Sequence, residues 1–108
     1  MKVIKNTEGN LVDFGSERIW ELFKENDFGL AYVEVEQSKE HFHEYTKEVY
    51  VVVGGTGKLK LGDNIVKLFP GTCVYIPPKT NHCVLEGKDL KLYVFTVPPW
   101  SGEDHHEV

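Results

Sequence analysis

The stretch "KLKLGDNIVKL" (residues 58–68) alternates on both sides of a Gly-Asp-Asn turn: Leu59 and Leu61 against Lys58 and Lys60, then Val66 and Leu68 around Lys67. Period-two alternation gives one buried face and one wet face, which is the pattern of an antiparallel β-hairpin. The same punctuation runs along most of the chain. "GLAYVEV", "EVYVVV", "TCVYI", "HCVL" and "LKLYVFTV" are short runs of β-branched and aromatic residues, separated by "EQSKE", "GGTG", "PPKTN" and "EGKD". Turn signals at this regular spacing predict an all-β sandwich or barrel.

The chain of 108 residues is long enough for one domain with a single core. Hydrophobic residues make up 41% and charged residues 27%, which places it among ordinary globular chains rather than disordered ones. Net charge is −5, and the twelve Lys and Arg form no basic stripe, so nucleic acid and anionic membrane are not expected partners. No apolar run approaches the ~18 residues of a membrane span. "MKVIKNTEGN" lacks a signal-peptide pattern, and a reducing cytoplasm is the expected compartment. Cys73 and Cys83 are too few for a disulfide framework and read as small buried hydrophobes.

Residues 16–26 fit two patterns. "SERIWELFKEN" suits a short helix capped by Ser16, with Ile19, Leu22 and Phe23 on one face, or a strand with Trp20 and Leu22 on one side; Trp20 and the surrounding β-runs favour the strand. The expected layout is a core barrel over about 29–97, N-terminal strands or a short helix over 1–28, and an irregular tail over 98–108. His105 and His106 in that tail read as solvated.

"HFHEYTKE" (41–48) holds the chemistry. In a strand, His41 and His43 share a face with Cα atoms ~6.6 Å apart at ~3.3 Å rise per residue. Two imidazoles so placed can converge on one ion. The polar run "EYTK" resets the phase, which lets Glu48 open the next strand pointing inward. His82, following the rigid "PPKTN", supplies a third nitrogen.

These residues also resemble a known family, the cupins. The first cupin motif is matched by His41-Phe42-His43, four residues, Glu48, six residues and Gly55. The second is matched by Gly71, "TCVYI", Pro77, "PKTN" and His82. The resemblance spans about residues 29–97. It departs from the pattern at Val35, where the first motif has glycine, at Lys79, where the second has glycine, and at Glu86, where an asparagine often ends it.

The resemblance implies a double-stranded β-helix, or jelly-roll, barrel. It also implies one divalent transition metal (Fe, Mn, Zn, Ni or Cu) on His41, His43, Glu48 and His82. Three imidazoles and a carboxylate on an ion that prefers six ligands leave positions open to substrate, a catalytic rather than a closed structural arrangement.

By strand phase, Tyr50 and Val84 line the pocket; for "LKLYVFTV" the parity is open, and small members of the family suggest Tyr93 and Phe95. The implied activity is an enzyme on a small oxygenated metabolite. A dioxygenase is favoured over a sugar-phosphate isomerase, epimerase or lyase, and a non-catalytic binding module is the remaining class. "GGTGK" (54–58) lacks the flanking residues and helix of a phosphate loop, so Gly54, Gly55 and Gly57 read as turn glycines with positive φ. "EVYVVV" is apolar on both faces, which predicts a covered outer face and a homodimer.

Overall fold

The computed structural model describes residues 1–108. Nine strands, β1 (Asn10–Asp13), β2 (Glu17–Lys24), β3 (Gly29–Val35), β4 (His41–Phe42), β5 (Lys47–Leu61), β6 (Asn64–Leu68), β7 (Cys73–Ile76), β8 (His82–Val97) and β9 (His106–Glu107), form one antiparallel sheet. Single 3-10 turns stand at Asn6–Glu8 and Gly102–Asp104.

The sheet curls into a jelly roll because β5 and β8 are long enough to serve two layers. Residues 47–52 of β5 pair with 92–97 of β8, flanked by β3 on one side and β7 on the other. Residues 57–61 of β5 pair with 82–87 of β8, flanked by β6 and β4. Between these stretches the register slips at Val52/Gly54 and again at Gly54/Thr56. Such bulges bend a strand. Gly55 sits at the bend with φ +70, and a Cβ there would run into the Asp89 backbone carbonyl. Gly54 and Gly57 have no positive φ; they are strand glycines at the bend, not turn glycines.

The hairpin of residues 58–68 is formed by β5 and β6, with Leu59 opposite Val66 and Gly57 opposite Leu68. Leu59 and Leu68 are fully buried and join Val33, Val35, Tyr50, Val52, Val74, Ile76, Val84, Leu90 and Leu92 in the core. Each such aliphatic side chain contributes about 1.5–3 kcal/mol on burial.

Residues 17–24 are a strand, and Ile19 packs against the core while Trp20 lies on the outer face against Tyr32. Cys73 is exposed and only Cys83 is buried, because Cys73 stands on the outer side of β7 opposite Val51. The tail departs from the expected irregular course: Gly102–Asp104 turns once, and β9 then pairs with β4 through His41–Glu107 and Phe42–His106. No helix is long and apolar enough to cross a membrane.

Candidate metal centre

The two motifs meet across a strand pair. His41 on β4 is the direct partner of His82 at the start of β8, and their rings lie 4.2 Å apart. His43 follows β4, a link of three residues (44–46) leads on, and Glu48 enters on β5 beside Thr96 and Ile76. His82 has no exposed surface, His43 is 3% and Glu48 4% exposed, and His41 is half-buried. One ligand-capable atom from each of the four residues lies within 4.8 Å of every other.

Each imidazole is tied by the same nitrogen to a backbone carbonyl. Nδ1 of His41 donates to Lys39 at 2.8 Å, Nδ1 of His43 to Asp104 at 2.7 Å, and Nδ1 of His82 to Thr80 at 2.9 Å. A proton held on Nδ1 leaves Nε2 as the free lone pair. Two of these Nε2 atoms, on His43 and His82, stand 3.0 Å from Oε1 of Glu48. All three atoms are buried without a hydrogen-bond partner. Orphaned buried polar atoms are costly unless something fills the space between them. Nitrogen and oxygen lone pairs aimed at one point fit a divalent transition ion.

The electrostatics of the four residues agree with this. Burial raises the Glu48 carboxyl, but the His43 and His82 rings outweigh it and hold the group at about 2. Burial and the neighbouring His82 push His41 down to about 4, so its imidazole stays neutral and available. Burial also opposes charge on His43, yet the Glu48 carboxylate and the Asp104 carbonyl raise it.

Of the remaining residues expected in the pocket, Tyr50 and Val84 do face inward, and the Tyr50 ring meets His82 edge-on at 6.2 Å. Tyr93 and Phe95 do not. Leu90, Leu92, Val94 and Thr96 take the inner face of β8. Tyr93 packs against Tyr32 with the rings tilted and donates its hydroxyl to Asn6 Oδ1 at 2.6 Å, and Phe95 packs on Phe28. Both lie on the outer side of the sheet.

Two site residues escape the sequence reading. Glu17, opposite Val35 at the start of β2, shares the inner face with Ile19. Desolvation and the Glu48 charge push its carboxyl up to about 6. Fixing residues 16–26 as a strand with Ile19 inward would have found it. Asp104 is 1% exposed and lies under the turn between His43 and Glu48. Its neighbour His105, expected in solvent, stacks on His41 with centroids 4.4 Å apart. Lys79, where the family motif has glycine, adopts φ 66, and its amide donates to the His43 carbonyl at 2.6 Å.

A surface cleft of about 480 Å³ flanks the glycine bend between Lys58, Lys67 and Glu86 and contains none of the four clustered residues.

Residues 30–98 match the family model described as a cupin domain. An uncharacterised protein of Methanocaldococcus jannaschii is 33% identical over 66 residues, covering 59% of this chain and 53% of its own. The chain therefore spans about half the length of that curated relative. Among solved structures, the Streptomyces nucleoside dehydratase Pac13 superposes with a TM-score of 0.86 at 19% identity, covering 100% of this chain and 91% of its own. KdgF from Halomonas sp. gives 0.82 at 19%, covering 95% and 97%. The polyketide cyclase RemF from Streptomyces resistomycificus gives 0.79 at 22%, covering 100% and 85%. At these identities the likeness is one of fold.

Proposed function

The chain belongs to the cupin domain family, and on that premise we propose that it is an enzyme that holds one divalent transition metal on His41, His43, Glu48 and His82 and acts on a small oxygenated metabolite. The observation that carries this reading is the shared state of the three imidazoles, each with Nδ1 tied to a carbonyl and Nε2 left to the cluster. A divalent ion held there supplies Lewis-acid polarisation of a substrate oxygen or, with iron, inner-sphere dioxygen chemistry.

Non-oxidative proton transfer, as in dehydration or isomerisation, is the better-supported class. Glu17 is a second inward carboxyl, close enough to feel the charges of Glu48 and His82, and holds its proton to about pH 6. A carboxyl titrating near neutrality can both give and take a proton. Tyr50 stays neutral, raised well above the usual phenol range by burial and by Glu48 and Glu17, so its hydroxyl serves as a donor to substrate. The dehydratase and cyclase among the structural neighbours are in keeping with this class. The only arginine, Arg18, is engaged with Glu34 at 3.2 Å on the face opposite Glu17, so a phosphate group finds no guanidinium in the pocket. An unphosphorylated metabolite fits better than a sugar phosphate.

A second copy of the chain is the proposed partner. Tyr75, Val49 and Phe95 lie in one register row on the outer face, and Val51 and Cys73 in the next. Tyr75 is 55% and Phe95 39% exposed, an apolar area of the kind a two-fold interface covers.

The test is turnover under two gases. Protein loaded with Mn(II), Fe(II) or Zn(II) is offered nucleosides, hydroxy ketones and diketones under nitrogen and under air. Water loss or isomerisation under nitrogen supports the proton-transfer class. Turnover only in air, with oxygen consumed, supports a dioxygenase instead. Stoichiometric binding without conversion in either gas makes the chain a binding module.

A further inference from the structure

The segment after the barrel is built into the metal centre. The Asp104 carboxylate accepts four hydrogen bonds from one turn: from the amides of Glu44 at 2.7 Å, Tyr45 at 3.1 Å and Thr46 at 2.9 Å, and from the Thr46 hydroxyl at 2.6 Å. That turn is the link between His43 and Glu48. The backbone carbonyl of the same residue takes the His43 Nδ1 proton at 2.7 Å. Asp104 is thus in contact with both ends of the turn and with one imidazole directly. Around it, His105 covers the His41 ring, and β9 extends the β4 edge.

Charge-assisted bonds from amides to a buried carboxylate are among the strong ones, and three successive amides converging on one side chain leave the turn little freedom. Resting on the metal-centre reading, we infer that Asp104 is the positioning residue of the centre: it sets the tautomer of His43 and the span from His43 to Glu48. Outer supports of this kind fix ring orientation and ligand basicity, and their loss typically costs ~10–100-fold in metal affinity. The carboxylate anchors residue 104 to the turn, and that anchor holds its backbone carbonyl against the His43 ring, so removing the carboxylate loosens both.

The experiment compares wild type, Asp104→Asn, Asp104→Ala and, as a control in the Gly102–Asp104 turn, Glu103→Ala. Circular dichroism and a urea titration first establish that each is folded. Co(II) affinity and its d–d spectrum are then measured, and the tautomer of His43 is read by nitrogen NMR of the metal-free protein.

The expected result is a ~10–100-fold weaker Co(II) affinity with a changed spectrum for Asp104→Ala. A smaller loss is expected for Asp104→Asn, and none for Glu103→Ala. In the metal-free protein, His43 should hold its proton on Nδ1 in wild type and exchange between nitrogens in Asp104→Ala. A folded Asp104→Ala protein with wild-type affinity, spectrum and tautomer overturns the inference. If wild type itself binds no metal, the proposed function fails. The NMR comparison still decides the role of Asp104, because a His43 proton locked on Nδ1 in both proteins refutes it.

Discussion

His41 and His82 face each other directly across the β4–β8 pairing, forty-one positions apart in the chain and 4.2 Å apart between ring centroids. Both belong to one layer, whereas Glu48 comes from the other, beside Ile76 and Thr96, so the cluster exists only when the two layers are closed on each other. Substituting any one of His41, His43 or His82 by alanine removes one of four ligands. The loss should exceed the ~10–100-fold that an outer support is worth. Elemental analysis should find about one divalent ion per chain in wild type and far less in each variant. Full occupancy in the triple alanine variant would place the metal elsewhere.

Glu17 gives a pH dependence with a definite sign. Its folded-state carboxyl titrates at about 6 against an ordinary 4.5, raised by burial and then by Glu48. The protonated group is at home in the pocket, so its contribution is complete below pH 4.5. It is lost as pH rises through 6, up to about 2 kcal/mol. Urea unfolding of metal-free protein at pH 4.5 and pH 7 should show Glu17→Gln gaining stability relative to wild type at the higher pH. An unchanged difference between the two pH values would show that Glu17 is solvated.

The outer face of β5, β7 and β8 should hold two copies together. Phe95→Glu and Tyr75→Glu place charge on residues 39% and 55% exposed that lie outside the core cluster, the first giving up only its contact with Phe28. Light scattering should report a dimer of the 12.4 kDa chain for wild type and a monomer for the double variant. A wild-type monomer at micromolar concentration would leave that face without a second copy.

Gly55→Ala tests the bend. The left-handed backbone at φ +70 disfavours any Cβ, and this one would meet the Asp89 carbonyl. A loss of about 2 kcal/mol or more in thermal or chemical unfolding is expected. The same substitution at Gly62, with φ +59 but open space around it, should cost less.

The hairpin and the cluster of four polar residues were legible because they announce themselves locally. Lys58, Lys60 and Lys67 mark the wet face of β5–β6, and His41, His43, Glu48 and His82 stand at spacings that strand geometry and family resemblance both read. The inner face of β8 was not legible, for a physical reason. Leu90, Leu92 and Val94 compete with Tyr93, Phe95 and Val97, so both faces are apolar and alternation is silent. What decides is the outer layer, where Tyr32 and Asn6 receive Tyr93. Asp104 was hidden by distance: its partners lie 58 to 60 positions upstream, and no local pattern marks an acid that will fold onto such a turn.

The sharing of β5 and β8 between the two layers governs how the molecule comes apart. A sandwich of two independent sheets can shed one and keep the other, whereas here each half is built from the same pair of strands. Fraying one half drags the other's central pair with it, so denaturation should be a single cooperative event at every probe. It follows that an ion bound at the mouth stabilises the chain as a whole: whatever free energy it adds by mass action is felt as much at the β5–β6 hairpin as at the histidines.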